Sequence, residues 1–401
     1  MDERLFSHIA ATSARAGERA KVEQLRESSK DIINKIKAKP DLYVISGLRG
    51  VGKTTILSEL SKSIEKSIYL NGDIIVKYGV DLLELLHYSE GAGYSTFMID
   101  EVHAIANWER DVKIFHDETH SDMVITGSSA VALKVKGSEL SRRATLFELK
   151  TMSLREYLSF KTGTILPKVS MENLTDGKIL PELTKSIMPY MNEVDSYVRR
   201  NALPACFFDG KPEVYINIVE RVVRYDLQAL REIDAQYIDA VFKVIKFVAS
   251  SSPGEVSYTK IANTIQRSTR IAQEMVRMLA YSGLFYIIPP EGAGYKGVRS
   301  EDKILMPLSF RAALCEEYGV VPSSGGLRED FFIQHVDGAR YIKTGVERRT
   351  PDYVVGDNVF EVGGESKGWS QLKNRKNAYL VKETLVVRDN EIPLWLFGFL
   401  Y

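Results

Sequence analysis

The sequence predicts an α/β protein that opens on a parallel sheet, continues into a helical region and ends in a second mixed α/β part. Three patterns predict it. Between Asp41 and Leu149 short apolar runs alternate with stretches of helical period. Beyond Thr151 the apolar residues recur at spacings of three and four, and strand-like runs become scarce. Near the end, YIKTGVERRTPDYVVGDNVFEVGG again offers strands and a turn at Gly356 to Asn358.

The first part reads DLYVIS, SIYLN, YSTFMID, SDMVIT and TLFEL, each bounded by turn residues. Strands buried on both faces of a parallel sheet are nearly continuous apolar runs, and these are. The middle stretches SLREYLSF, ELTKSIMPYMNEVDSYVRR, PEVYINIVERVVRYDLQALREI and IDAVFKVIKFVAS read as helices. At Ser251 the string SSPG interrupts, and two short helical segments lead to LFYIIP and KILMPL.

The chain has 401 residues, 44% apolar and 26% charged, enough for two or three cores. Its 53 Lys and Arg balance 53 Asp and Glu, so any polyanion contact is local. No run approaches the roughly 18 apolar residues of a membrane span, and the charged N-terminus does not resemble a signal peptide. The expected setting is the cytoplasm, without membrane association. Cys206 and Cys315, far apart and outside any metal-like spacing, read as reduced thiols.

Directly after LYVIS comes Gly47-Leu48-Arg49-Gly50-Val51-Gly52-Lys53-Thr54, which fits GxxxxGK[ST] and opens a helix with Thr55. Glycines there let backbone N–H groups close around phosphates; Lys53 reaches their oxygens and the Thr54 hydroxyl ligates Mg2+. The expected ligand is ATP with Mg2+. The strand TFMI ends in Asp100-Glu101, placing Asp100 at the metal and Glu101 beside the attacking water as general base. The next strand ends in Thr126, with Ser128 following, as the γ-phosphate sensor; the serines also read as a helix cap. Arg142 and Arg143 precede TLFEL, where an arginine can stabilise transferred phosphate in its own or a neighbouring subunit.

In this order GLRGVGKTT, TFMIDEVH, VITGSS and ELSRRATLFELKTMSLREYL resemble an archaeal and bacterial family of AAA-type P-loop ATPases. The resemblance covers nearly the whole chain. It implies an AAA-type ATPase domain at 1–150, a helical region at 151–237, a winged helix at 238–310 and a C-terminal α/β restriction-endonuclease-like domain at 311–401. Where such proteins carry Gly-Arg after the sensor strand, this chain has Arg142-Arg143, with Arg143 at the arginine position.

In the winged-helix segment, Ile261, Ala262 and Ile265 form one apolar face, and Ile271, Met275, Met278 and Leu279 another, with Gly283 ending the second helix. Ser268, Thr269, Arg270, Gln273 and Arg277 are left for phosphates or base edges, with Lys296 and Arg299 on the wing. The same element can instead pack on its own ATPase domain or on a protein partner.

Asp352 and Glu361 flank the expected hairpin turn, and Glu329 on a helix can join them at one metal. Restriction-endonuclease-like sites place a lysine two residues after the second acid. That position is Gly363. Lys367 in the next loop and Gln371 are the remaining polar candidates, in a stretch carrying Lys367, Lys373, Arg375, Lys376 and Lys382. Cleavage, nucleic-acid binding without cleavage and a structural role all fit. His116 and His120 share a helical face, but HDETH is not HExxH and reads as a solvated helix end. Trp108 reads as core.

The leading expectation is an ATPase whose nucleotide state governs DNA engagement. The alternatives are a nucleotide-sensing switch acting on a protein partner or promoter with little turnover, and an ATP-gated nuclease. Self-association through Arg143 is compatible with each.

Overall fold

The computed structural model describes residues 2–19, 24–128, 139–207, 211–228, 233–292, 301–342, 350–373, 375–386 and 388–401. The chain divides into two compact units. The first is Met1–Lys150 with Tyr225–Glu232 and Tyr281–Gly283; the second is Thr151–Arg224, Ile233–Ala280 and Leu284–Tyr401.

The first unit is built on strands β1 (Leu42–Ser46), β2 (Ser67–Asn71), β3 (Thr96–Asp100), β4 (Asp122–Gly127) and β5 (Thr145–Glu148). They pair in the order β2-β3-β4-β1-β5, all parallel, as the five apolar runs predict. Its helices are α1 (Glu3–Glu18), α2 (Glu27–Ala38), α3 (Lys53–Ser63), α4 (Gly72–Tyr78), α5 (Leu82–Gly91) and α6 (Trp108–Thr119). β1 and β3 are buried along their whole length, whereas edge strand β5 is largely accessible. Leu42, Val44, Ile68, Leu70, Phe97, Ile99, Met123, Ile125 and the fully buried Trp108 share one core.

The second unit starts with α7 (Leu154–Thr162), α8 (Met171–Asp176), α9 (Leu180–Ile187), α10 (Met191–Arg200), α11 (Pro204–Phe207), α12 (Pro212–Arg221) and α13 (Ala235–Ser250). A capping box of Ser153 and Glu156 starts α7. Then come α14 (Tyr258–Ile265), α15 (Thr269–Tyr281) and the antiparallel pair β6 (Tyr286–Ile288) and β7 (Lys303–Leu305). Helices α16 (Phe310–Glu317) and α17 (Ser324–His335) precede β8 (Arg340–Tyr341), β9 (Tyr353–Val355), β10 (Asn358–Gly363), β11 (Ala378–Lys382) and β12 (Glu391–Pro393). That sheet runs β12-β11-β10-β9-β8, with β9 and β10 an antiparallel hairpin and β10, β11 and β12 parallel. Its core joins Phe331, Phe332, Tyr353, Phe360 and Trp395 to Leu154, Leu158 and Tyr197. Among the described residues no helix is long and apolar enough to cross a membrane.

Candidate nucleotide and acidic sites

The loop between β1 and α3 turns at Gly50 and Gly52, whose φ values of 83° and 102° suit glycine. Lys53, the first residue of α3, is buried and donates to the carbonyls of Gly47 (2.8 Å) and Leu48 (3.1 Å). Burial holds its ammonium below the usual lysine value. Val51 is buried, Thr54 and Thr55 half-buried. Arg26, which the sequence reading did not single out, braces the loop by donating to the Val51 carbonyl at 2.9 Å.

Asp100, at the end of β3, is 2% exposed and carries several donors. The Thr54 hydroxyl reaches its Oδ2 at 2.8 Å, the Tyr69 phenol the same oxygen at 2.6 Å, and the Glu101 N–H its Oδ1 at 3.1 Å. Thr126 also donates to Oδ1, so its hydroxyl is directed to the carboxylate. Register explains the convergence. Tyr69 pairs with Met98 and Met98 with Val124, so Asp100 and Thr126, two residues further on, share their face.

Glu101 has φ of 52°, the left-handed region that side chains other than glycine rarely adopt and that clusters at functional sites. Its Oε1 accepts from Arg49 Nη1 at 3.1 Å. Arg49 also grips Asp226, through Nε at 3.1 Å and Nη2 at 3.0 Å. The His103 ring stands between the acids, Nδ1 3.3 Å from Glu101 and Nε2 3.7 Å from Asp226. Burial alone would raise Asp226, but bonds from His103 and Arg49 outweigh it and hold the carboxyl below its usual range. For Arg49, burial opposes the charge and the two acids overcome it, raising its pKa. Ser128 is buried, its N–H 3.4 Å from His103 Nδ1.

Arg143 forks onto Asp117 of α6 at 2.5 and 2.9 Å and donates to the Glu139 carbonyl at 3.2 Å. Arg142 is exposed.

Residues 39–158 match the family model described as AAA domain. This segment is an AAA-type P-loop domain. The match supports a reading of this segment as a nucleotide-dependent ATPase domain. An uncharacterized protein of Methanocaldococcus jannaschii is 29% identical over 318 residues, 73% of this chain and 67% of that protein. One of Haemophilus influenzae is 24% identical over 261 residues, 61% of each chain. The matched regions thus span about two thirds of these relatives. A chain of the S. cerevisiae Hsp104-ADP complex overlaps 68% of this chain and 42% of its own, at 12% identity and TM-score 0.31.

In the second unit, Glu361 on β10 is fully buried and ion-pairs with Lys367. A β-carbon at Gly363 would collide with the Lys367 stem, so glycine there makes room for the lysine to fold back. Asp352 Oδ2 accepts from the Val362 N–H at 2.9 Å. Burial, then the charge of Glu329, holds Asp352 above its usual range; burial, then Asp352, pushes Glu361 up to about 7. Glu329 is held by Lys303 and the Tyr353 hydroxyl, and Lys303 is a member of this cluster that the sequence reading missed. Gln371 donates to the Thr350 carbonyl at 3.3 Å. Among the described residues, no group of three or more His, Cys, Asp and Glu is arranged to hold a metal.

Ser268, Thr269, Arg270 and Arg277 are exposed, Gln273 is half-buried, and Ile271 is half-buried rather than core. Ala272 and Val276 take the inner face of α15 beside Met275, Met278 and Leu279. Tyr258 at the start of α14 donates to Asp302 beside β7 at 2.7 Å. Lys296 and Arg299 lie outside the described residues.

Proposed function

We propose that the chain hydrolyses ATP in its AAA domain and couples nucleotide state to DNA engagement by the helix-turn-helix and acidic regions of the second unit. The observation that carries the hydrolytic reading is the convergence of Thr54, Asp100 and Thr126 beside Glu101 and the Lys53 loop. A hydroxyl and a carboxylate oxygen 2.8 Å apart form a hard donor pair that fits Mg2+. When bound, Mg2+ would supply positive charge to neutralise the transferred phosphate. Lys53 binds phosphate, Asp100 and Thr54 hold the ion, and Glu101 accepts the proton of the attacking water once Arg49 releases it. The exposed Ser268, Thr269, Arg270 and Arg277 supply the DNA contacts, with the half-buried Gln273 at their margin.

Steady-state ATP turnover with and without DNA tests this. Lys53→Ala abolishes binding or turnover, and Glu101→Gln binds ATP but turns over about 10²-fold or more slowly. Wild-type turnover in both variants overturns the site assignment; turnover that is negligible and indifferent to DNA favours a switch acting on a protein partner.

A second reading, an ATP-gated nuclease, draws support from the Asp352, Glu361 and Lys367 cluster, where Lys367 brings the ammonium that position 363 lacks. It predicts Mg2+- or Mn2+-dependent cleavage lost in Asp352→Ala and Glu361→Ala. Intact DNA under every metal condition sinks it.

A further inference from the structure

We propose that Tyr69 is a positioning residue for the metal carboxylate, locking Asp100 into the orientation in which it meets the magnesium of a bound nucleotide. The inference rests on the reading of Asp100 as the metal ligand. Tyr69 lies on β2 and Asp100 on neighbouring β3, and their shared face brings the phenol to Oδ2 at 2.6 Å. Thr54 donates to that same oxygen. When Thr54 turns its hydroxyl oxygen to a cation, Tyr69 remains on Oδ2, and Thr126 and the Glu101 N–H remain on Oδ1. The carboxylate is therefore held at both oxygens with or without Thr54.

The ring has little freedom to abandon this contact. It is 6% exposed, and α1 passes over it at Gly17, where a β-carbon would lie 3.2 Å from the ring carbon that bears the hydroxyl. A hydrogen bond from a fixed neutral donor to a buried carboxylate is charge-assisted. Partners of this kind orient metal ligands, and their loss typically lowers metal affinity or activity about 10–100-fold.

Tyr69→Phe keeps the ring and removes only the donor. The test is a Mn2+ titration followed by electron paramagnetic resonance on the protein with a non-hydrolysable ATP analogue, beside analogue affinity in EDTA. Tyr69→Phe weakens Mn2+ about tenfold or more and leaves the metal-free affinity unchanged. Gly17→Ala, which presses on the ring without touching Asp100, shifts Mn2+ affinity the same way and by less, and serves if Tyr69→Phe fails to fold. Wild-type Mn2+ affinity in the folded variants overturns the proposal. Asp100→Asn separates the two levels: if it loses Mn2+ while Tyr69→Phe does not, only the role of Tyr69 falls; if it retains Mn2+, the reading of Asp100 falls with it.

Discussion

Replacing Arg311 by methionine removes a charge from the centre of the second unit. Arg311 and Asp330 are both fully buried, joined by Nε to Oδ2 at 2.5 Å and Nη2 to Oδ1 at 3.2 Å. The remaining nitrogen, Nη1, serves the Val248, Ala249 and Ser251 carbonyls at 2.7, 3.0 and 3.2 Å, closing the C-terminal end of α13. Asp330 also accepts from the Met306 N–H at 3.0 Å and sits beside Glu329 on α17. Methionine fills much of the volume but strands the carboxylate, and breaking a buried pair in this way costs about 3–5 kcal/mol. With a urea slope of about 1–3 kcal/mol per molar, the midpoint falls by about 1 M or more. The chain has three tryptophans, and Trp108→Phe leaves Trp369 and Trp395 to report on the second unit alone. The double variant Arg311→Met, Asp330→Leu recovers part of the loss, because no lone charge remains while the three carbonyls and the Met306 N–H stay without these partners. A single variant within about 1 kcal/mol of wild type, or a double variant no better than the single, refutes the reasoning.

Other expectations follow from the two sites. Arg49→Gln and Asp226→Asn are coupled by about 0.5–3 kcal/mol in the stability of the first unit, and a coupling of zero excludes the ion pair from solution. Glu361 is pushed up to about 7 from 4.5, so between these values the folded chain keeps a proton that the unfolded chain has lost. Stability of the second unit therefore falls as pH rises from about 4.5 to about 7, and Glu361→Gln flattens that slope; a wild-type midpoint that rises across the window contradicts it. Gly363→Ala displaces Lys367 and destabilises by about 1–3 kcal/mol, read from the same denaturation curves. If α15 meets a DNA backbone, Arg270→Ala and Arg277→Ala each reduce the slope of log affinity against log salt by about 0.9, and unchanged slopes exclude those contacts.

The parallel sheet was legible because YVIS, TFMI and MVIT are buried on both faces, so nothing polar interrupts them. The phosphate loop was legible because its glycines, lysine and threonine are consecutive. Tyr69 was not, since a tyrosine inside an apolar strand reads as core until the register shows its hydroxyl beside Asp100. Asp226 was beyond reach for another reason: it lies 177 residues from Arg49, and no periodicity links residues so far apart. The helical runs of the middle third also concealed their breaks. Pro189 sits in a 3-10 turn at Met188–Tyr190 between α9 and α10, and α12 gives way to a π-helical turn at Val222–Asp226. Periodicity detects the apolar face across such turns without marking where the hydrogen-bond pattern changes.

The segment Tyr225–Glu232 belongs to the first unit although the chain on either side belongs to the second. A fragment ending at Lys150 therefore keeps the whole phosphate loop but loses Asp226, the acid that takes two of the three Arg49 nitrogens held by carboxylates. The same holds for chimaeras. Joining a relative's first 150 residues to this chain confronts a foreign phosphate loop with the aspartate at 226, and a loop without an arginine at position 49 leaves that carboxylate without its Arg49 partner. In this chain the phosphate loop is thus tied by charge to a turn that follows α12, well outside the stretch in which the nucleotide motifs are found.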